Sequence, residues 1–286
     1  MRASAFLVVG SCAWCACGRV YAQEGGAAAI IDTYMRTSAQ TTRDALLAKL
    51  AALPPGAVAL GFRQCLARAE GAGTRDGLVG ALGQHFPTKE AAEVLREVLV
   101  DPDVHVRVTA IHALRMMARR TDRFGHERAP RGADFAPKVE GLVPTLALAA
   151  RDVAENNRVV ALYALADTRE PSAVEELRRL LGDPVPRVRL FAACFLTEYA
   201  DASGLGELRA ALQALRTRTP EKDAYFYTDA GILLVSLGRI TGKSFGPVPM
   251  DPFLSSDLND AERSAGRYRT LITTWSRWWA WEPEQK

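Results

Sequence analysis

An internal repeat is the feature of this 286-residue sequence that most constrains its fold. Four residue types recur at one spacing in three segments: Asp101, Arg107, Ala110 and Leu114; Asp152, Arg158, Ala161 and Leu165; Asp183, Arg189, Ala192 and Leu196. The second and third segments are offset by 31 residues, the length of two helices and a turn. Stacked helix pairs bury a core that a single pair cannot bury.

The first and second segments are offset by 51 residues, which we interpret as one unit plus an insertion loop at 119–138. Apolar residues elsewhere follow the period of a helix, and Pro or Gly residues separate the segments. We therefore predict an all-α protein, an α-solenoid of about five helix pairs over 54–240. A helical cap at 23–53 precedes it. A loop and a Trp-rich capping helix at 241–286 follow it.

The repeated residues have structural roles in this interpretation. The Ala lies where two helices cross closely, and the Leu one turn later fills the core. The Asp precedes the second helix of each pair, where a carboxylate caps free amide groups. The Arg lies in the first turn of that helix and reaches an Asp of its own or the next unit. In the last helix Trp275, Trp278 and Trp279 share one side, so we predict a core cap rather than a ligand platform.

These segments resemble the HEAT-repeat family, and specifically its short phycobilisome-lyase-type unit. The resemblance is carried by 101–107 with Ala110 and Leu114, and by 183–189 with Ala192 and Leu196. It extends over about 54–240, and the end of the chain is similar to that of bacterial exported HEAT-type proteins. The resemblance implies a fold and little about activity, because the residues that carry it are structural.

The first 22 residues have the order of a secretory signal peptide. Arg2 is followed by an apolar run of about a dozen residues, and Val20-Tyr21-Ala22 is a suitable cleavage site. The run is shorter than the roughly 20 residues that span a bilayer. We expect an exported, periplasmic or cell-envelope protein. The alternatives are a buried N-terminal helix, a start codon assigned too early, or lipid anchoring at Cys12.

Catalytic and metal-binding patterns are not visible in the sequence. Gly242-Lys243-Ser244 lacks the earlier Gly and the strand that a phosphate loop needs, and the four His form no metal-binding pair. Cys65 and Cys194 are interpreted as core thiols without a neighbouring base. The formal net charge of +3 does not favour nucleic-acid binding. We predict no cofactor and no catalytic residue.

Two regions are candidate partner-binding sites. His112, Tyr163 and Cys194 are equivalent under the repeat and lie about 200° around the helix from the buried Ala, so we expect them on the concave side, with Arg115 nearby. The insertion loop carries the second candidate set: Arg123, Phe124, Arg128 and Arg131. For both regions the alternatives are side chains packed between helices and a solvated loop.

The sequence therefore predicts a non-enzymatic exported scaffold that mediates protein–protein interaction. The partner is a protein whose identity and oligomeric context the sequence does not give. The alternative, by resemblance alone, is an enzyme or enzyme accessory related to tetrapyrrole (phycobilin) lyases.

Overall fold

The computed structural model describes residues 26–119, 139, 141–220, 223–249 and 258–281. Over these ranges the ordered elements are helices and no strand occurs. The helices are α1 (26–36), α2 (Gln40–Ala51), α3 (Pro55–Arg68), α4 (Ala72–His85), α5 (Lys89–Val98), α6 (Val104–Arg119), α7 (Val143–Ala149), α8 (Glu155–Thr168), α9 (Ser172–Leu180), α10 (Pro186–Leu196), α11 (Leu205–Leu215), α12 (Phe226–Thr241) and α13 (Leu258–Trp281). A short 3₁₀ turn, Thr197–Tyr199, follows α10.

Helices α3 to α12 form five successive pairs, so the predicted all-α fold of HEAT-like helix pairs is confirmed. In four of the five pairs the second helix begins three residues after an aspartate, whereas α4 begins three residues after Ala69. The Asp101, Asp152 and Asp183 carboxylates accept hydrogen bonds from the amides two residues later, at 2.8–2.9 Å. Asp223 accepts from the Tyr225 amide in the same way at 3.0 Å. These bonds close a turn directly before each helix. The predicted capping by the repeat aspartate is wrong, because α8, α10 and α12 have no side-chain cap bond and the first-turn amides of α6 bond to Asp103.

The chain divides into two compact units, with the boundary between Val139 and Glu140. In the first unit, α3 packs on α5 and α4 packs on α6. The α4–α6 crossing is the tightest glycine contact in the described chain. A Cβ added to Gly83 would lie 2.2 Å from the Ala113 Cβ. Successive second helices thus approach through small residues.

Helix α10 is the centre of the second unit. It packs against α8, α9, α11 and α12. From Leu190 to Leu196 every residue is at most 5% exposed. A helix that is apolar on all sides is stable only when other elements surround it. The repeat residues Ala192 and Leu196 lie in this enclosed segment and are fully buried.

Helix α13 covers the last pair by packing on α11 and α12. Its inward face carries Tyr268, Ile272 and Trp275, all at most 3% exposed. Trp275 contacts the Phe245 ring at a centroid distance of 4.8 Å, and Trp278 contacts Trp275 at 5.5 Å. The tryptophans therefore pack as part of the cap. Within the described ranges no helix combines the length and apolar character needed to cross a bilayer.

Candidate functional site

A ladder of ion pairs connects successive helix pairs. Within the first unit Arg75 pairs with Asp101 at 2.7 Å, and within the second unit Arg158 pairs with Asp183 at 2.9 Å. Both pairs are largely shielded, with side chains between 7% and 18% exposed. Arg158 Nη1 also donates to the Asp152 carbonyl, at 3.0 Å. Arg158 therefore connects the turn before its own helix to the aspartate of the next pair.

The last pair departs from this pattern. An arginine stands six residues after each of Asp101, Asp152 and Asp183. The residue six positions after Asp223 is instead an acid, Asp229. The Asp229 side chain is only 2% exposed. Its two oxygens accept from Arg187 Nε at 3.0 Å and from Arg218 Nη1 at 2.9 Å. Two guanidinium groups therefore compensate one buried carboxylate.

The Arg187 guanidinium is the centre of this network. Its carbon lies 3.9 Å from the centroid of the Tyr225 ring and 5.1 Å from that of Phe191. Arg187 Nη1 donates to Asn156 Oδ1 at 3.1 Å. A guanidinium stacked on an aromatic face and hydrogen-bonded at its edge has little freedom to move. Asn156 Nδ2 in turn donates to the Tyr225 hydroxyl at 3.3 Å.

Asn156, Arg187 and Tyr225 lie at or just before the first turns of α8, α10 and α12, and we name them, with Glu155, the helix-start rim. Asn156 is exposed, Tyr225 is 42% exposed, and the Glu155 side chain is 39% exposed. The rim thus presents an amide, an aromatic ring and a carboxylate to solvent on a rigid base.

Arg218 stabilises the rim through its hydrogen bonds to Asp223 and Asp229. Its hydrogen bond to Asp223 lowers the pKa of that carboxyl, although partial burial opposes the effect. For Arg218 itself burial lowers the pKa, but the hydrogen bonds to Asp223 and Asp229 outweigh it and leave the pKa raised. Both groups are therefore charged across the physiological pH range.

The predicted concave-side residues do not share one environment. His112 is exposed and Arg115 is half-buried, both on α6 of the first unit. Tyr163 of the second unit is half-buried and packs edge-on against Phe191 and Phe195, at centroid distances of 5.5 and 4.8 Å. Tyr163 is therefore a side chain packed between helices, which was the alternative to a partner-binding role.

The placement of Cys194 on an exposed face is wrong. Its side chain is 1% exposed, and Ser236 of α12 donates to its carbonyl at 3.4 Å. The 200° rotation away from Ala192 leads into α12 rather than into solvent, because α10 is enclosed on all sides. Burial raises the pKa of the Cys194 thiol to about 12. The thiol is therefore protonated and shielded, as a core residue is.

The insertion residues Arg123, Phe124, Arg128 and Arg131 lie outside the described residues. Cys65 is buried and free, with its Sγ 3.4 Å from Asp32 Oδ1. Burial raises the pKa of its thiol. In the part of the chain that the structure describes, no three His, Cys, Asp or Glu side chains are grouped to hold a metal ion.

The helix-start rim was not predicted from the sequence. The repeat was defined on three segments that all carry an arginine six residues after the aspartate, and the last pair was not among them. The signal was present as Asp223 followed by Asp229, an acid in the position of the repeat arginine. An acid there requires a buried cation, and Arg187 and Arg218 supply it.

Comparison with known proteins agrees with this architecture. A family model for HEAT repeats matches residues 143–230, from α7 into α12. The structure of human deoxyhypusine hydroxylase in complex with glycerol aligns over 90% of this chain and 99% of its own. The identity is 18% and the TM-score is 0.28, too low to support a shared activity. A search of curated proteins finds no significant match.

Proposed function

Because residues 143–230 are HEAT repeats, we propose that this chain is an exported, non-enzymatic scaffold that binds a protein partner through the helix-start rim. HEAT-type solenoids stack helix pairs into extended surfaces, and such surfaces serve as binding faces. Within the described residues, the rim combines the exposed ring of Tyr225 with the guanidinium of Arg187, which stacks against it.

One observation carries the binding proposal: Tyr225 remains 42% exposed although Arg187 and Asn156 hold it in place. A large side chain that is ordered before binding loses little conformational entropy when a partner covers it. Tyr and Arg are also the residues that most often dominate interface energy. The rim therefore has the composition and the rigidity of an interface centre.

The buried charges of the second unit are used in folding. Asp183 is paired with Arg158, and Asp229 is paired with Arg187 and Arg218. These contacts hold the pairs together and so support a scaffold role. A small molecule that the purified chain converts to product would contradict the non-enzymatic part of the proposal.

Site-specific photo-crosslinking tests the binding proposal. A photoreactive amino acid replaces Tyr225 in one variant, and replaces Val235, another exposed residue of the same unit, in the control. We expect one crosslinked protein with the rim variant in intact cells and much less of it with the Val235 control. Equal crosslinking at both positions would mean that the rim is not the contact surface.

Export is tested separately by N-terminal sequencing of the chain from fractionated cells. The signal-peptide pattern predicts a mature start near Gln23 in the envelope fraction. An intact Met1 in the cytosolic fraction would contradict export and leave the binding proposal standing.

A further inference from the structure

The outward face of α13 is basic. Arg267 and Arg277 are exposed, whereas Tyr268, Ile272 and Trp275 of the same helix are buried. Thr270 lies between them and is also exposed. From residue 264 to residue 280 the sequence contains three arginines and no acidic residue. The face therefore combines positive charge with short polar side chains.

Exposed arginines also lie on the neighbouring helix and at its end. Helix α11 packs against α13 and carries Arg209, and Arg216 directly follows its last residue, Leu215. Its acidic residue Glu207 is paired with Arg189 at 3.0 Å. Asp223 and Asp229 are likewise paired, as described above. In the described part of the second unit, none of these acids is left to neutralise Arg267 or Arg277.

We propose that the outward face of α13 binds an acidic segment of a protein partner. The inference rests on the proposed function in one respect, that the partner is a protein. Ten residues of helix separate Arg267 from Arg277, about 15 Å at the α-helical rise. An extended segment covers that distance in roughly four to five residues. Carboxylates at such a spacing meet both guanidiniums, and each guanidinium donates two parallel hydrogen bonds to a carboxylate.

The packing of the tryptophans favours an acidic polypeptide over an anionic lipid surface. A helix that lies on a membrane buries its apolar face among the acyl chains. The apolar face of α13 is already covered by α11 and α12. Trp278 and Trp279 are half-buried and contact each other at 6.1 Å, and Trp278 also contacts Phe245.

The test uses the mature chain and a fluorescein-labelled polyglutamate peptide, with binding followed by fluorescence anisotropy at low salt. The variant is Arg267→Glu with Arg277→Glu. The control, Arg36→Glu with Arg96→Glu, makes the same change in net charge at exposed positions of the first unit. We expect the α13 variant to bind the peptide about tenfold or more weakly and the control to differ little. The neutral Arg267→Gln with Arg277→Gln variant should lose binding to a smaller extent.

Equal weakening in the variant and the control would overturn the proposal, because binding would then follow net charge alone. No binding of the peptide to the unmodified chain would also overturn it. The chain is also tested for cosedimentation with phosphatidylglycerol vesicles. If the vesicles bind the unmodified chain but not the α13 variant, and the peptide binds neither, the ligand of this face is a lipid surface and not an acidic segment. Thermal melts show whether each variant is folded. The Tyr225 crosslink reports on the proposed function independently, since the rim is unchanged in these variants.

Discussion

Arg187 donates a hydrogen bond from its Nε to the buried carboxylate of Asp229 across 3.0 Å, and this contact ties α10 to α12. Arg218 closes the other side of the carboxylate at 2.9 Å. A carboxylate that is 2% exposed is costly unless its charge is compensated and its oxygens are hydrogen-bonded. The contact is therefore a condition for docking the last helix pair.

Replacing Asp229 by Ala should destabilise the protein strongly. The change leaves two guanidiniums facing each other in a shielded site, and breaking a buried pair in this way typically costs about 3–5 kcal/mol. Glu175→Ala is the control, because that side chain is 76% exposed and its pair with Arg178 should contribute less than about 1 kcal/mol. Urea unfolding of the mature chain measures both. Similar losses in the two variants would show that the buried pair is not special.

Gly83→Ala should destabilise the first unit. The new Cβ would meet the Ala113 Cβ at 2.2 Å, so α4 and α6 must move apart, and overpacking of this kind costs about 1–3 kcal/mol. Gly73 lies in the same helix with nothing within 4 Å of an added Cβ. Gly73→Ala should therefore be neutral or stabilising by up to about 1 kcal/mol. If both substitutions raise the melting temperature, the close crossing is absent in solution.

Acid should weaken the fold only below about pH 4. The hydrogen bond from Arg218 lowers the pKa of Asp223. At Asp101 burial raises the pKa, but hydrogen bonds from Arg75 and the Asp103 amide outweigh it and lower the pKa. A carboxyl whose pKa is lower in the folded state stabilises the protein above its unfolded pKa, near 3.9, and loses that contribution as pH falls through the folded pKa.

The free energy of unfolding should therefore be level from neutral pH to about pH 5 and fall steeply below about pH 4. Asp101→Asn should lower stability at pH 7 and make the acid decline shallower, because one of the titrating groups is gone. A decline of unchanged slope in this variant would assign the acid sensitivity to other carboxyls.

Cys194 should resist alkylation in the folded protein. Its pKa of about 12 leaves almost no thiolate at pH 8, and its side chain is 1% exposed. Iodoacetamide at pH 8 should modify Cys194 in urea but not under native conditions, as read by mass spectrometry of the peptide that contains it. Native labelling as fast as labelling in urea would mean that α12 does not cover α10.

The sequence was sufficient to predict the helix pairs because three of the five repeat the same aspartate and the same small residue. Ala110, Ala161 and Ala192 are all fully buried, and each lies nine residues after that aspartate. Local chemistry decides these features: a carboxylate before a helix start and a residue without bulk at a crossing. Such signals are contained in a few neighbouring residues.

The exposure of single residues was harder to predict. A helical wheel gives His112, Tyr163 and Cys194 the same angular position on their helices. In the structure His112 is exposed, Tyr163 is half-buried and Cys194 is buried. The difference depends on how many helices surround each one, and this is set by distant parts of the chain. The same limit applies to Arg187. Its side chain is only 14% exposed because α12 supplies Asp229.

The helix-start rim could not be predicted because it depends on a reversed charge. A repeat is recognised by identical residues, and Asp229 differs from the arginine that stands at this position in the other four pairs. Its partner Arg187 is 42 residues away in sequence. Only the packing of α12 against α10 shows that the two charges meet.

The reversed charge at Asp229 also gives the array of repeats a defined end. In the second unit Arg158 donates forward to Asp183, and Arg189 donates forward to Glu207. Asp229 instead accepts from Arg187, which precedes it along the stack. A duplicated helix pair placed after α12 would bring a repeat aspartate with no arginine to pair with it. Lengthening the array by gene duplication would therefore require a compensating substitution at position 229, whereas duplication upstream of α10 would not.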